Sequence, residues 1–301
     1  MATPHKIGID VGGTKIAAIL FDPHDTMVTE KRISAPRNDY DKTIRSIVGL
    51  ISDLELNLDQ KAHVGVGIPG SISPETHLVQ NANSTWLNGK PLYQDLSRVL
   101  ERDIRIENDA NCFALSEALM GAGRGARMVF GVILGTGCGG GLVFDGKLLS
   151  GPHAIGGEWG HNPLPWPTAQ ELGAVECWCG KKDCIESWVS GPAMSADHFR
   201  VHDEDLSAEH IVQNAIEGNQ AACDTLEHYL SRLARGLAAM TNIIDPDVIV
   251  LGGGLSNIDL IYERLPEMMV PYIFADHFKP CILKPEFGDA SGVRGAAHLW
   301  P

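Results

Sequence analysis

Lys6–Asp10 and Ile16–Asp22 are apolar, β-rich runs separated by Val11-Gly12-Gly13-Thr14-Lys15. That pattern predicts a hairpin closed by a glycine turn. Thr26–Ser34 alternates polar and apolar positions, as a third strand would. Pro36 breaks the chain, and Tyr40–Leu54 then carries Ile44, Ile47, Val48 and Ile51, the stripe of an amphipathic helix. Val64–Ile68 predicts a buried strand stopped by Pro69-Gly70, and 71–90 reads as a polar loop rich in Asn. Ile104–Ile106 predicts a short strand, followed by Glu107-Asn108-Asp109 and a helical stretch over Ala110–Met120. The longest uncharged run, Met128–Phe144, holds glycines at 131, 135, 137, 139, 140 and 141. It is short for a bilayer span of ~20 residues and predicts two buried strands around a glycine turn.

The pattern then repeats. Ile7–Asp22 reads IGIDVGGTKIAAILFD and Phe130–Asp145 reads FGVILGTGCGGGLVFD; aligned without gaps, Gly8 meets Gly131, Gly12 meets Gly135 and Asp22 meets Asp145. Val64–Gly70 (VGVGIPG) is echoed by Val248–Gly254 (VIVLGGG), in the same order. Two α/β halves with glycine turns facing each other would leave a cleft between them, and ligands prefer such places.

Composition narrows the function. The 301 residues carry 24 Lys plus Arg against 38 Asp plus Glu, a net charge of −14. That balance argues against nucleic acid or an anionic membrane as the chief partner. Lys6 and Asp10 interrupt the N-terminus before an apolar leader segment can form, so a cytoplasmic protein is expected. Of the 7 cysteines, Cys177, Cys179 and Cys184 crowd together, which suits metal ligation in a reducing compartment.

Four groups of residues can carry chemistry. In the first turn, Gly12 and Gly13 let backbone N–H groups face phosphate oxygens, Thr14 adds a hydroxyl, and Asp10 could hold a hydrated Mg²⁺. An ordinary hairpin turn is the bland alternative, but Gly135-Thr136-Gly137 offers a matching turn that could clamp one polyphosphate from the other side. Asp109 stands near a helix start, where it either caps exposed N–H groups or accepts a proton from a substrate hydroxyl. His161 with Cys177, Cys179 and Cys184 is a Cys₃His set, complete for structural zinc, the alternative being unligated buried thiols. Glu158 and Glu186 flank those ligands and suit the hydroxyls of a sugar. Asn81, Asn83 and Asn88 are further candidates for sugar contacts, or turn-formers in a solvated loop.

Together these residues resemble the ROK family of sugar kinases and repressors. The resemblance is carried by Asp10-Val11-Gly12-Gly13-Thr14-Lys15, Glu107-Asn108-Asp109-Ala110-Asn111, Gly135-Thr136-Gly137, Gly157-Glu158-Trp159-Gly160-His161, the cysteine cluster leading to Glu186, and Gly252-Gly253-Gly254. The segments Gly67–Pro74, Asn81–Gly89 and Glu158–Trp166 look most like the fructokinase (manno-fructokinase) branch. The resemblance implies an α/β, two-lobed, actin-like (ribonuclease-H-like) ATPase fold with internal duplication and a zinc-binding loop. A smaller lobe would cover 1–115 plus 288–301, and a larger lobe 116–287.

It implies further that Asp109 is the catalytic base of an ATP-dependent kinase acting on the C6 hydroxyl of fructose. Gly70, Asn83, Asn108, Asp109, Glu158, His161 and Glu186 would bind the sugar. Asp10, Gly12, Gly13, Thr14, Lys15, Gly135, Thr136, Gly137, Gly253 and Gly254 would hold ATP with Mg²⁺. His161, Cys177, Cys179 and Cys184 would bind structural Zn²⁺, and the chain would form a homodimer. The alternatives are a kinase for mannose, glucose or N-acetylglucosamine, or a sugar sensor without catalysis. A repressor is disfavoured, because the first phosphate-turn strand starts at Lys6 and leaves no room for a winged helix-turn-helix.

Overall fold

The computed structural model describes residues 4–300. The first half contains β1 (Lys6–Val11), β2 (Lys15–Phe21), β3 (Met27–Ser34), α1 (Tyr40–Glu55), β4 (His63–Ile68), the short pair β5 (Ser71–Ile72) and β6 (Val79–Gln80), α2 (Leu92–Leu100), β7 (Arg105–Asn108) and α3 (Asp109–Leu119). The second contains β8 (Met128–Leu134), β9 (Cys138–Phe144), β10 (Lys147–Leu148), α4 (Glu186–Val189), α5 (Gly191–His202), α6 (Ala208–Ile216), α7 (Gln220–Ile244), β11 (Val248–Gly252), α8 (Asp259–Met269), β12 (Ile282–Leu283) and α9 (Ser291–Ala297). No helix among the described residues is long and apolar enough to cross a membrane.

Two five-stranded sheets have the orders β3-β2-β1-β4-β7 and β10-β9-β8-β11-β12. The orders are equivalent. In each, an antiparallel hairpin (β1 with β2, β8 with β9) is followed by a strand parallel to its first member (β4 beside β1, β11 beside β8). The internal repeat seen in the sequence is therefore a repeat of topology. This mixed α/β, two-sheet structure is consistent with an actin-like ATPase.

The glycine match between Gly8 and Gly131 has a packing cause. A Cβ on Gly8 would stand 2.0 Å from the Val293 carbonyl of α9, and one on Gly131 would stand 2.6 Å from Ala114 of α3. The helix that ends each half thus lies close against the sheet of the other half. The two helices also touch, since a Cβ on Gly295 of α9 would meet the Cys112 carbonyl of α3 at 1.7 Å. Backbones this near exclude any side chain. Residue 115, the expected end of the smaller lobe, lies inside α3.

The segment 71–90 is more ordered than its polarity predicts. It holds the β5–β6 pair and a single helical turn over Thr85–Leu87. Its order comes from side chains, because Asn88 Oδ1 accepts the Ala82 N–H at 2.8 Å while its Nδ2 donates to the Ala82 carbonyl at 3.0 Å. Asn88 thus staples the loop, the turn-forming role among its two expected readings. Asp22 falls just beyond β2, where its carboxylate accepts the N–H groups of His24 and Thr26 and shapes the turn into β3.

Candidate active site

The junction of β7 and α3 settles how Asn108 and Asp109 divide their work. Asn108 is the residue before the helix, and its Oδ1 accepts the N–H groups of Ala110 at 2.9 Å and Asn111 at 3.2 Å. Its Nδ2 donates to the Gly70 carbonyl at 3.2 Å, which ties the junction to the end of β4. Glu107 braces the other side, accepting from Asn108 N–H, from Asn111 Nδ2 and, across to the second half, from Ser150 Oγ at 2.8 Å. Asp109 accepts only the Ala110 N–H, at 2.8 Å, and its side chain lines a cleft of about 1100 Å³. Burial raises its carboxyl to about 7, and repulsion from Asp10 adds to the shift, with a smaller push from Glu158.

The cleft wall brings together Gly12, Gly13, Thr14, Asn83, Asp109, Thr136, Gly137 and Glu186. Both glycine turns therefore face the carboxylate at 109. The first is closed by the Gly12 N–H donating to the Lys15 carbonyl, and the second by Gly135 N–H donating to the Gly137 carbonyl, each at 3.0 Å. A Cβ at 137 would stand 2.8 Å from Glu186 Oε2, so any other residue there would push the Glu186 carboxylate aside. That same oxygen accepts the Cys138 N–H at 2.8 Å.

Other expected residues lie behind or beside this wall. Asp10, next to last in β1, lies against Gly67 and Gly292, and burial raises its carboxyl to about 6 against the pull of Lys15 and Arg32. A carboxyl held up in this way regains its charge when a hydrated cation stands beside it, so Asp10 fits a Mg²⁺ partner. Lys15 is exposed and pairs with Asp289 at 3.6 Å, away from the wall. Gly253 and Gly254 follow β11 and are exposed, with Gly253 packed on the end of β8. Glu158 opens to solvent, yet the protein around it raises its carboxyl; His161 lowers it and Glu186 raises it further.

His161, Cys177, Cys179 and Cys184 converge, their ligand atoms all within 4.8 Å of one another. Cys177 Sγ is 3.7 Å from His161 Nδ1, and Cys179 Sγ is 3.6 Å from Cys184 Sγ. Tetrahedral zinc with Zn–S bonds of ≈ 2.3 Å spaces its sulfurs about 3.8 Å apart, so the set fits a structural zinc ion. Between two of the cysteines, Trp178 donates its Nε1–H to Glu186 Oε1 at 2.6 Å and meets the His161 ring edge-on at 5.0 Å. The segment bearing the cysteines is thereby wired, through the two oxygens of Glu186, to the second glycine turn.

Sequence reasoning passes over Arg37, Ser84, Trp86 and Trp178, all of which line the cleft. Arg37 sits in the loop after Pro36, and its Nε donates to the Gly13 carbonyl at 3.2 Å. Ser84 and Trp86 lie inside the segment Asn81–Gly89, and Trp178 lies between two of the clustered cysteines, but no local pattern marks Arg37.

A fold of two equivalent sheets, with facing glycine turns, a buried carboxylate and a Cys₃His cluster, places the chain in a class, and the comparison with known families agrees. The chain belongs to the ROK family, whose model matches residues 6–301. It is 37% identical over 300 residues to the N-acetyl-D-glucosamine kinase of Pasteurella multocida (strain Pm70), covering 98% of this chain and 99% of that one. Among solved structures, it resembles the ROK hexokinase of Thermus thermophilus with a TM-score of 0.87 at 27% identity, over 97% of this chain and 96% of that one. It also resembles a ROK family glucokinase from Streptomyces griseus in complex with glucose and AMPPNP, with a TM-score of 0.78 at 25% identity and 98% of each chain covered. The ROK resemblance expected from the motifs holds. Its narrower assignment to the fructokinase branch finds no support in these relatives.

Proposed function

We propose that this chain is an ATP-dependent hexose kinase in which Asp109 is the general base. The observation that carries the reading is the freedom of Asp109. Asn108 does most of the capping of α3, so the neighbouring carboxylate faces the cleft with both glycine turns opposite. A base with a pKa near 7 is well matched to taking a proton from a hydroxyl in neutral solution. ATP would lie with its phosphates on the turns at 12–14 and 135–137, Mg²⁺ reaching Asp10 through water. Thr14 and the turn amides would hold the phosphates, while Asp109 takes the proton of the attacking hydroxyl. Catalysis is then mostly positioning and charge stabilisation. Zinc in the Cys₃His set would act as a cross-link that fixes His161 and Glu186.

For the sugar, the likeness to an N-acetyl-D-glucosamine kinase along nearly the whole chain favours N-acetyl-D-glucosamine. Fructose is the second reading, carried by the segments Gly67–Pro74, Asn81–Gly89 and Glu158–Trp166, of which Asn83 and Trp86 line the cleft. The test incubates the protein with MgATP and N-acetylglucosamine, glucose, mannose or fructose, and follows ADP. One hexose should exceed the others in kcat/KM by tenfold or more, since a hydrogen-bonding pocket discriminates strongly. ADP release with none of them would overturn the kinase reading; a clear preference for fructose would overturn only the choice of sugar.

A further inference from the structure

We propose that Arg37 binds the terminal phosphoryl group of the nucleotide. The inference rests on the kinase reading above and adds a residue that no phosphate-binding motif of the sequence includes. Phosphoryl transfer brings several negative charges into a cleft already lined by Asp109, Glu176 and Glu186. Among the described residues of its wall, Arg37 is the single cation. Lys15, the basic residue of the first turn, does not line the wall; it is exposed and lies 3.6 Å from Asp289. The charge balance of the cleft therefore falls on Arg37 and on the metal that accompanies the nucleotide.

Geometry selects the terminal phosphate. Arg37 leans on the carbonyl of Gly13, a residue of the first glycine turn, through its Nε. That bond fixes the side chain beside the turn while the remaining guanidinium N–H groups stay available, and a planar fork of this kind matches phosphate oxygens. Of the nucleotide's phosphates, the one nearest the hydroxyl to be activated must stand between this turn and Asp109. The loop is positioned to deliver the charge there. Pro36 precedes Arg37, Asn38 adopts a left-handed backbone at φ 59°, and the Asp39 carboxylate caps α1 through the Lys42 N–H.

The test separates a phosphate contact from a simple loop pin. Arg37→Gln keeps an N–H donor for the Gly13 carbonyl and removes the charge; Arg37→Ala removes both. Binding of MgAMPPNP and of MgADP is measured by calorimetry for the wild type and both variants. A terminal-phosphate contact predicts that each variant weakens AMPPNP about tenfold or more while ADP affinity changes less than about twofold, a selective loss of about 1.4 kcal/mol. It also predicts that added guanidinium ion restores part of the kcat lost in Arg37→Ala. Wild-type affinity for both nucleotides in Arg37→Gln, or equal weakening of AMPPNP and ADP, would overturn the proposal. Failure of the wild type to bind MgAMPPNP at all would instead count against the kinase reading.

Discussion

At position 109 the demands of folding and of chemistry oppose each other. Burying a carboxylate costs free energy that an amide in the same place would not cost. Asp109 has a folded pKa of about 7 against the ordinary value of 3.8, so its contribution to stability is full below about pH 4 and is lost as the pH rises through 7. Asp10, at about 6, acts in the same direction. Asp109→Asn is therefore expected to be more stable than the wild type at pH 8, by a few kcal/mol at most, with the gap closing toward pH 4. Urea melts at both pH values check this, and a gap independent of pH would contradict it. The same substitution should lower turnover by at least ~10² while leaving sugar affinity within a few-fold. Wild-type kcat/KM should fall in acid as the base becomes protonated near pH 7. Loss of sugar binding with turnover intact would refute the assignment of the base.

Among the elements, the stretch between β10 and α4 depends most on fasteners other than regular structure. Apart from a single helical turn at Trp159–His161, its strand-like pairing is confined to isolated bridges, Pro163 with Cys184 and Glu176 with Lys182. Two devices among its side chains matter most here. One is the Cys₃His cluster. The other is Glu171, which is buried and accepts from Arg232 and Arg235 of α7 at 2.8 Å each. Burial acts to raise the Glu171 carboxyl, but the bonds from Arg235, the Thr168 N–H and Arg232 outweigh it and hold it at about 2. Arg235 also donates to the Trp166 carbonyl at 2.8 Å. Because the clamp grips residues 166–171 and a metal in the Cys₃His set would grip 161 and 177–184, loss of that metal should loosen one end only. Cys184→Ser or a strong chelator should expose 158–186 to protease and raise the sugar KM roughly tenfold, with α7 and the core unchanged. Normal kinetics in verified metal-free protein would rule this out. The cysteine spacing is legible in the sequence because the ligands are near neighbours; the arginine clamp is not, since Glu171 and Arg235 are 64 positions apart.

For the whole molecule, the exchanged helices α3 and α9 decide how the two sheets face each other. Their crossing has no room for a side chain at Gly295. Gly295→Ala should therefore lower stability by about 3 kcal/mol or more, through forced separation of the two backbones. Gly49→Ala is the matched control: Gly49 lies inside α1 with nothing within 4 Å of its Cβ position, so alanine should raise stability by up to ~1 kcal/mol. Denaturant titrations of both variants measure this, and equal effects would show that the crossing is not tight. Since α3 begins at Asp109, a shifted crossing should also depress kcat in any Gly295→Ala protein that folds.

The sequence by itself determined the two hairpins, their glycine turns and the Cys₃His set as a candidate metal site. Each is written in residues near one another along the chain, where strand period, backbone freedom and ligand spacing act locally, and the repeat shows as the same local pattern written twice. The tertiary structure decided which turn residues face the cleft, sending Lys15 to Asp289, spending Asn88 on its own loop and bringing Arg37 and Trp178 to the wall. It also decided that each half lends its last helix to the other. Those outcomes depend on packing between segments far apart in the chain, and no local pattern encodes such contacts.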